Sequence, residues 1–298
     1  MTSSGRVFLG AALAVLTACG SRHQPPQAPA SAPVAATRFT PSADGVRIAW
    51  HRYGRGPTAV VLIHGWAADS SIWRAQLPAL TPLYSVITLD LAGQGASGAE
   101  RQAWTLPHFA EDVAAVVAQL PNARIVLVGD GLGGPVALQS APLIGARLLG
   151  IIGVETFRTL GLSAPSPSRL DRELQPFRAD FAGTVRSFVS GTLFHAAADP
   201  ALVRRVADLM ARTPADRALA ELADLNRLDY GAVLPAVKAP IIVIDSDQEG
   251  AADVGRLQRA AGRLRVISLD GDDSFAMLDD AQRFNATLLQ ALASLAVR

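Results

Sequence analysis

Short, mostly apolar runs rich in β-branched residues recur along the chain, and the stretches between them repeat apolar residues every three or four positions. Thr58–Ile63 (TAVVLI), Tyr84–Leu89, Arg124–Val128, Leu148–Val154, Pro240–Ile244 and Leu264–Leu269 have the length and composition of buried strands. Ser70–Leu80, opened by a Ser cap, Leu106–Leu120, Ala252–Ala261 and a last segment carrying Phe284-Asn285 have helical spacing. Ahead of them, Arg38–Arg52 reads as two short strands around an Asp44-Gly45 turn. Strands alternating with helices imply a mostly parallel central sheet flanked by helices, with right-handed crossovers. Between Glu155 and Pro235 that alternation stops. Asp199–Ala211 and Pro214–Leu225 carry helical periodicity with Asp or Pro at their starts, so an inserted helical segment spans 156–235 and the sheet core is 38–155 with 236–298.

Composition narrows the class. The chain has 298 residues, half of them hydrophobic, enough to bury a sizeable core. A formal net charge of +1 gives no argument for nucleic acid or a polyanionic partner. A single cysteine excludes an intrachain disulfide, and its position is informative. Arg6, the apolar run VFLGAALAVL and Leu16-Thr17-Ala18-Cys19 read as a signal peptide over 1–18, too short to span a bilayer comfortably. Leu-Thr-Ala-Cys resembles the lipobox of bacterial lipoproteins, whose Cys becomes an acylated N-terminus of the palmitate type. Plain cleavage near Cys19 would leave an odd thiol in an oxidising compartment, so lipidation and a membrane-anchored place in the cell envelope are expected. Gly20 after the Cys, instead of Asp, favours the outer membrane by resemblance to enteric lipoproteins. The Pro- and Ala-rich residues 20–37 have no periodicity and form a tether in which His23 is solvated.

The chemistry centres on Val126–Leu138, VLVGDGLGGPVAL, a strand that breaks into glycines and resumes as a helix. Three motifs occur in order: His64-Gly65-Trp66 after a buried strand, then Asp90-Leu91-Ala92-Gly93-Gln94-Gly95-Ala96-Ser97, then this strand–Gly–helix turn. Together they resemble the α/β-hydrolase superfamily, in its esterase and haloperoxidase-like branch, over residues 38–298. That resemblance implies the α/β-hydrolase fold with a helical cap at 156–235. It makes the central turn the nucleophile elbow, G-x-S-x-G, with Gly129 and Gly133 as its flanking glycines. The nucleophile position is then Gly131. Near the C-terminus, Gly271 to Asn285 is similar to the family pattern G-H-F-x-M-L-E-x-P-x-x-F-N, which places Ser274 where the catalytic His belongs.

Acyl transfer by a serine needs a nucleophile, a base to take its proton and an acid to orient the base. Two of the three are missing. The histidines are His23, His51, His64, His108 and His195, and none follows residue 195. The acid persists as Glu155 or Asp247, both positions used for it in relatives. By resemblance, the oxyanion-hole amides of Trp66 and Leu132 also survive, with Gly65 in the same loop and His64 supporting it. These groups can bind a carbonyl or carboxylate without attacking it.

Asp130 as a nucleophile would shift the elbow frame by one residue and still lack a His. A relocated base at His64 is the weaker reading of that residue. Glu155, Asp245, Asp247, Asp272 and Asp273 could converge on a hard cation such as Ca²⁺, but Asp is common in turns and caps for local reasons, and no metal or cofactor is expected. Phe181, Phe188, Phe194, Met210 and Tyr230 read as core and cap packing, and His195 as a solvent-exposed or helix-end residue. The expectation is a lipid-anchored, non-hydrolytic member that binds a small acyl or carboxylate ligand or acts as a scaffold. Its alternative is an active ester hydrolase, lactonase or lyase-like enzyme using other residues.

Overall fold

A computed structural model describes residues 35–122, 124–194, 196–246, 254–269 and 275–296. The signal-peptide and lipidation readings, with Cys19 and His23, lie outside the described residues, as do His195, Asp247, Asp272, Asp273 and Ser274. Eight strands form one sheet: β1 Arg38–Pro41, β2 Arg47–Tyr53, β3 Thr58–Ile63, β4 Ser85–Leu89, β5 Arg124–Asp130, β6 Leu148–Val154, β7 Ile241–Asp245 and β8 Leu264–Ser268. Their order is β1-β2-β4-β3-β5-β6-β7-β8; β1 and β2 run antiparallel to their neighbours and the rest are parallel. The mostly parallel sheet predicted from the apolar runs is therefore present. β4 and β7 are buried along their whole length, and β3 and β5 at all but their first residue, as strands covered on both faces must be.

Helices cover the sheet: α1 Leu77–Leu80, α2 Leu106–Ala118, α3 Gly133–Ile144, α9 Val254–Ala260, α10 Ala276–Asp279 and α11 Ala281–Ala296 flank the core, while α4 Pro167–Ala179, α5 Phe181–Phe188, α6 Pro200–Met210, α7 Ala215–Asn226 and α8 Tyr230–Val233 build the inserted segment. The helix predicted at Ser70–Leu80 opens as a 3₁₀ turn over Ser70–Gln76, and its cap is Asp69 rather than Ser70: the Asp69 carboxylate accepts the Ser71 N–H at 2.9 Å. A carboxylate one residue earlier reaches the exposed amide and pairs with the positive helix end, which a hydroxyl does less well. Among the described residues no helix is long and apolar enough to cross a membrane.

The chain leaves β3 for β4 on one side and returns to β5 on the other. The carboxyl ends of β3 and β5 are thus the place where the winding direction reverses, and loops there splay apart to leave a crevice. β3 and β5 are paired in register from Thr58 with Arg124 to Ile63 with Gly129. The loops after them, beginning at His64 and Gly131, are consequently held side by side.

Candidate functional site

The loop after β5 has kept the elbow's shape. Gly131 has φ +46°, the left-handed region, and its N–H donates to Val154 O on the adjoining strand at 2.9 Å. The Thr156 hydroxyl donates to Gly131 O at 2.6 Å, so both sides of this peptide are fixed. The flanking glycines are obligatory for a steric reason: a Cβ on Gly129 would stand 2.2 Å from Gly133 O, and one on Gly133 would stand 2.6 Å from Ile63 O. At Gly131 itself, its chain neighbours apart, a Cβ would meet nothing closer than Gly65 Cα at 3.9 Å. The turn has room for a nucleophile side chain and does not carry one.

The loop after β3 supplies the second half of the seat. Its tight path puts Ala67 at φ +54° and brings Gly65 and Trp66 against the elbow. His64 holds it from behind and is 1% exposed. Its Nε2 accepts the Leu91 N–H at 3.0 Å, which leaves the proton on Nδ1 to donate to Gly65 O at 2.9 Å. Burial lowers its pKa and keeps the ring neutral. With both ring nitrogens committed to backbone, His64 positions the loop and does not act as a base. Neither the Trp66 nor the Leu132 amide donates to another protein group among the described residues. Leu132 caps α3, so its N–H and the helix's positive end favour negative charge at this point.

Trp66, Leu132 and Gly65 line a cavity of about 280 Å³, and Gly131 and Asp130 form part of the same wall. The rest is largely apolar, with Phe157, Phe188, Leu193, Met210, Tyr230 and Phe275 prominent. Phe188, Met210 and Tyr230, read from sequence as packing, therefore also face the cavity: helices that roof a site must turn one apolar stripe toward it. Phe275 also stacks on Phe194 with ring centroids 5.6 Å apart. It follows Ser274 in the chain. The Tyr230 hydroxyl is pushed up to about 12 by burial, so it stays protonated.

Glu155, at the end of β6, lies in the cavity wall at φ +47°, and Phe157 follows at φ +64°. Such conformations are unfavourable for side-chain-bearing residues and persist where surroundings enforce them. Here a cluster of hydrogen-bonded and charged groups around Arg158 surrounds them. Arg158 Nη2 lies 2.7 Å from Glu155 Oε2 and 3.0 Å from Asp245 Oδ1, and the Ser246 N–H donates to Glu155 Oε1 at 2.5 Å. Burial, with the neighbouring Asp245 charge, raises the Glu155 pKa to about 8 against the pull of Arg158. Of the carboxylates weighed as a cation site, Glu155 and Asp245 do approach each other, but a guanidinium lies between them. Among the described residues no group of three or more His, Cys, Asp or Glu is placed to hold a metal ion. Arg158 and Thr156 were not singled out in the sequence, because neither belongs to a motif.

The inserted helices are clamped onto the core motifs. Trp66 Nε1 donates to Ala218 O on α7 at 2.9 Å, and its ring lies edge-on to Phe177 and Phe181 at 5.7 and 6.0 Å. Gln94 bridges Thr213 and Glu221, each at 3.1 Å. The Leu106 N–H donates to Asp224 at 2.7 Å.

A family model described as alpha/beta hydrolase fold matches residues 58–235. A pimeloyl-[acyl-carrier protein] methyl ester esterase of Xanthomonas campestris pv. campestris (strain B100) is 30% identical over 256 residues, 81% of this chain and 97% of the relative. Another esterase of that name, from Edwardsiella ictaluri (strain 93-146), is 33% identical over 145 residues; that match takes 47% of this chain and spans about half, 54%, of the relative. In structure, the bromoperoxidase from Bacillus anthracis superposes with a TM-score of 0.77 at 20% identity, over 87% of this chain and 100% of the other.

Proposed function

The chain belongs to the α/β-hydrolase family, and on that premise we propose that its cavity binds an acyl ligand, ester or free acid, with the carbonyl oxygen on the Trp66 and Leu132 amides and without formation of an acyl-enzyme. The observation that carries this is Gly131: the elbow keeps its left-handed backbone and its room for a side chain, yet offers no atom that can attack. No histidine follows residue 195, so the last loop brings no imidazole to the elbow either. The seat is independent of these losses because its donors are main-chain groups. An apolar cavity of 150 Å³ takes benzene, so one of about 280 Å³ suits an acyl chain of roughly ten carbons. The chain's role in this reading is to hold such a ligand, and the lipid anchor expected at Cys19 would hold it at the cell envelope.

Direct calorimetry of octanoate and methyl octanoate with the full chain tests the seat. Leu132→Pro removes one donor at φ −59°, a value proline adopts without strain. At least tenfold weaker binding than in Leu132→Ala is expected, and equal binding of the two variants would sink the proposal. Labelling of the wild-type cavity by a fluorophosphonate would refute the absence of a covalent step.

The second reading is an active hydrolase of carboxylic esters or lactones, or a lyase-like enzyme, run by residues outside the family's triad. It is the reading that the comparisons back better, because the relatives matched over nearly their whole length are named esterases. A p-nitrophenyl butyrate turnover of about 1 per second or more in the wild type decides for it.

A further inference from the structure

The vacated elbow has a carboxylate beside it. Asp130 closes β5 immediately before Gly131, is buried, and lines the same cavity. Its carboxylate rests on the glycine that separates the two halves of the seat: a Cβ on Gly65 would stand 2.4 Å from Asp130 Oδ2, while a Cβ on Gly131 would stand 3.9 Å from Gly65 Cα. Carboxylate and missing side chain thus both neighbour Gly65. The space that a serine side chain would fill is open on the side of Gly65. A water needs about 10–15 Å³ and polar partners, and the Asp130 carboxylate is one such partner on the cavity wall. We propose that Asp130 is the general base of an ester hydrolysis with no acyl-enzyme, in which a water standing in the place of the absent nucleophile attacks an ester carbonyl held by the Trp66 and Leu132 amides.

The step balances without a covalent intermediate. The water oxygen bonds to the carbonyl carbon as one of its protons passes to Asp130, and the C=O electron pair moves onto the oxygen facing the two amides. Collapse of that tetrahedral anion re-forms C=O and breaks the C–O bond to the alcohol. Asp130 returns its proton to the departing alkoxide, leaving the free acid and the alcohol. A carboxylate offers about four acceptor positions, so taking this proton is compatible with other contacts made by Asp130. His64 cannot compete, since both its nitrogens face backbone. The proposal rests on the acyl-seat reading and adds turnover to it.

The test follows p-nitrophenyl butyrate with the full chain. Asp130→Asn is expected to lower kcat by about 10²- to 10⁴-fold, the usual contribution of a general base, with KM and octanoate affinity little changed. A single turnover of the wild type in H₂¹⁸O, with enzyme in excess, is expected to place ¹⁸O in butyrate. That measurement needs no variant, so it stands even if Asp130→Asn fails to fold. Unlabelled butyrate in that first turnover would overturn the proposal by making Asp130 the nucleophile. Undiminished turnover in a folded Asp130→Asn protein would also overturn it. Wild type that binds octanoate but hydrolyses nothing above the water rate would refute the base role and leave the seat standing. Failure to bind octanoate at all would remove both.

Discussion

The indole N–H of Trp66 and the carbonyl of Ala218 meet at 2.9 Å across the boundary between the sheet core and the inserted helices. The residue whose amide is proposed as half of the carbonyl seat is thus also the residue on which α7 is fastened. Trp66→Phe keeps most of the apolar contact with Phe177 and Phe181 and loses the bond. A loss of about 1 kcal/mol in unfolding free energy is expected, with faster octanoate release. Denaturant unfolding and stopped-flow exchange measure the two effects, and an unchanged release rate would separate the cap from the seat.

Glycine is tolerant of replacement at one elbow position and not at its flanks. Gly131→Ala is expected to cost about 1 kcal/mol for placing a side chain at φ +46°, with no steric penalty. Gly133→Ala drives a Cβ to 2.6 Å from Ile63 O and is expected to yield little folded protein. Thermal melts of the two variants give the comparison.

Gly131→Ser with Ser274→His tests whether the rest of the machinery is still in place. The open space at Gly131 admits the serine. Fluorophosphonate labelling is expected in the double variant and not in wild type, and failure of a folded double variant to label would mean that Glu155 and the last loop no longer serve a triad.

Glu221 on α7 is 2% exposed and held by Gln94, and burial raises its pKa to about 8. A raised carboxyl pKa means that the folded state keeps its proton where the unfolded chain has lost it. Stability is therefore fully present below the ordinary carboxylate value and declines as pH rises toward about 8. Glu221→Gln is expected to remove that part of the decline, amounting to a few kcal/mol at pH 8. Urea unfolding of both proteins at pH 5, 6.5 and 8 shows whether the curves diverge in this direction.

Arg158→Met leaves Glu155 and Asp245 facing each other without their shared cation. A loss of about 3–5 kcal/mol is expected, as for any buried ion pair deprived of one partner. Adding Glu155→Gln should recover part of it. If the double variant is no more stable than the single one, the account of Arg158 as the cation shared by Glu155 and Asp245 is wrong.

Most of the sheet was legible because buried parallel strands carry their own signature: Thr58–Ile63 and Leu148–Val154 have the ends expected of them. Helix ends were less legible. Asp69 and Ser70 are both good caps, and only the geometry of the turn chooses between them. The loops that carry Trp66 and Leu132 were readable from motifs, and they do line one cavity. The cavity wall was not. Phe188 and Tyr230 come from different cap helices, and the apolar stripe that buries a helix looks the same as one that faces a ligand. Arg158 escaped notice for a related reason: its partners Glu155 and Asp245 sit on adjacent strands far apart in the chain, and sequence does not reveal that β6 and β7 are neighbours.

Because Ile63 and Gly129 are rungs of one backbone ladder, the spacing of the two amides proposed to grip a carbonyl is inherited with the sheet itself. Reactive groups at the loop tips can be dropped or regained by changing a codon or two. The grip cannot be discarded so cheaply, since losing it means unpairing the two innermost strands of the protein. If those amides hold a carbonyl, a place to bind one outlasts any change in the groups that react.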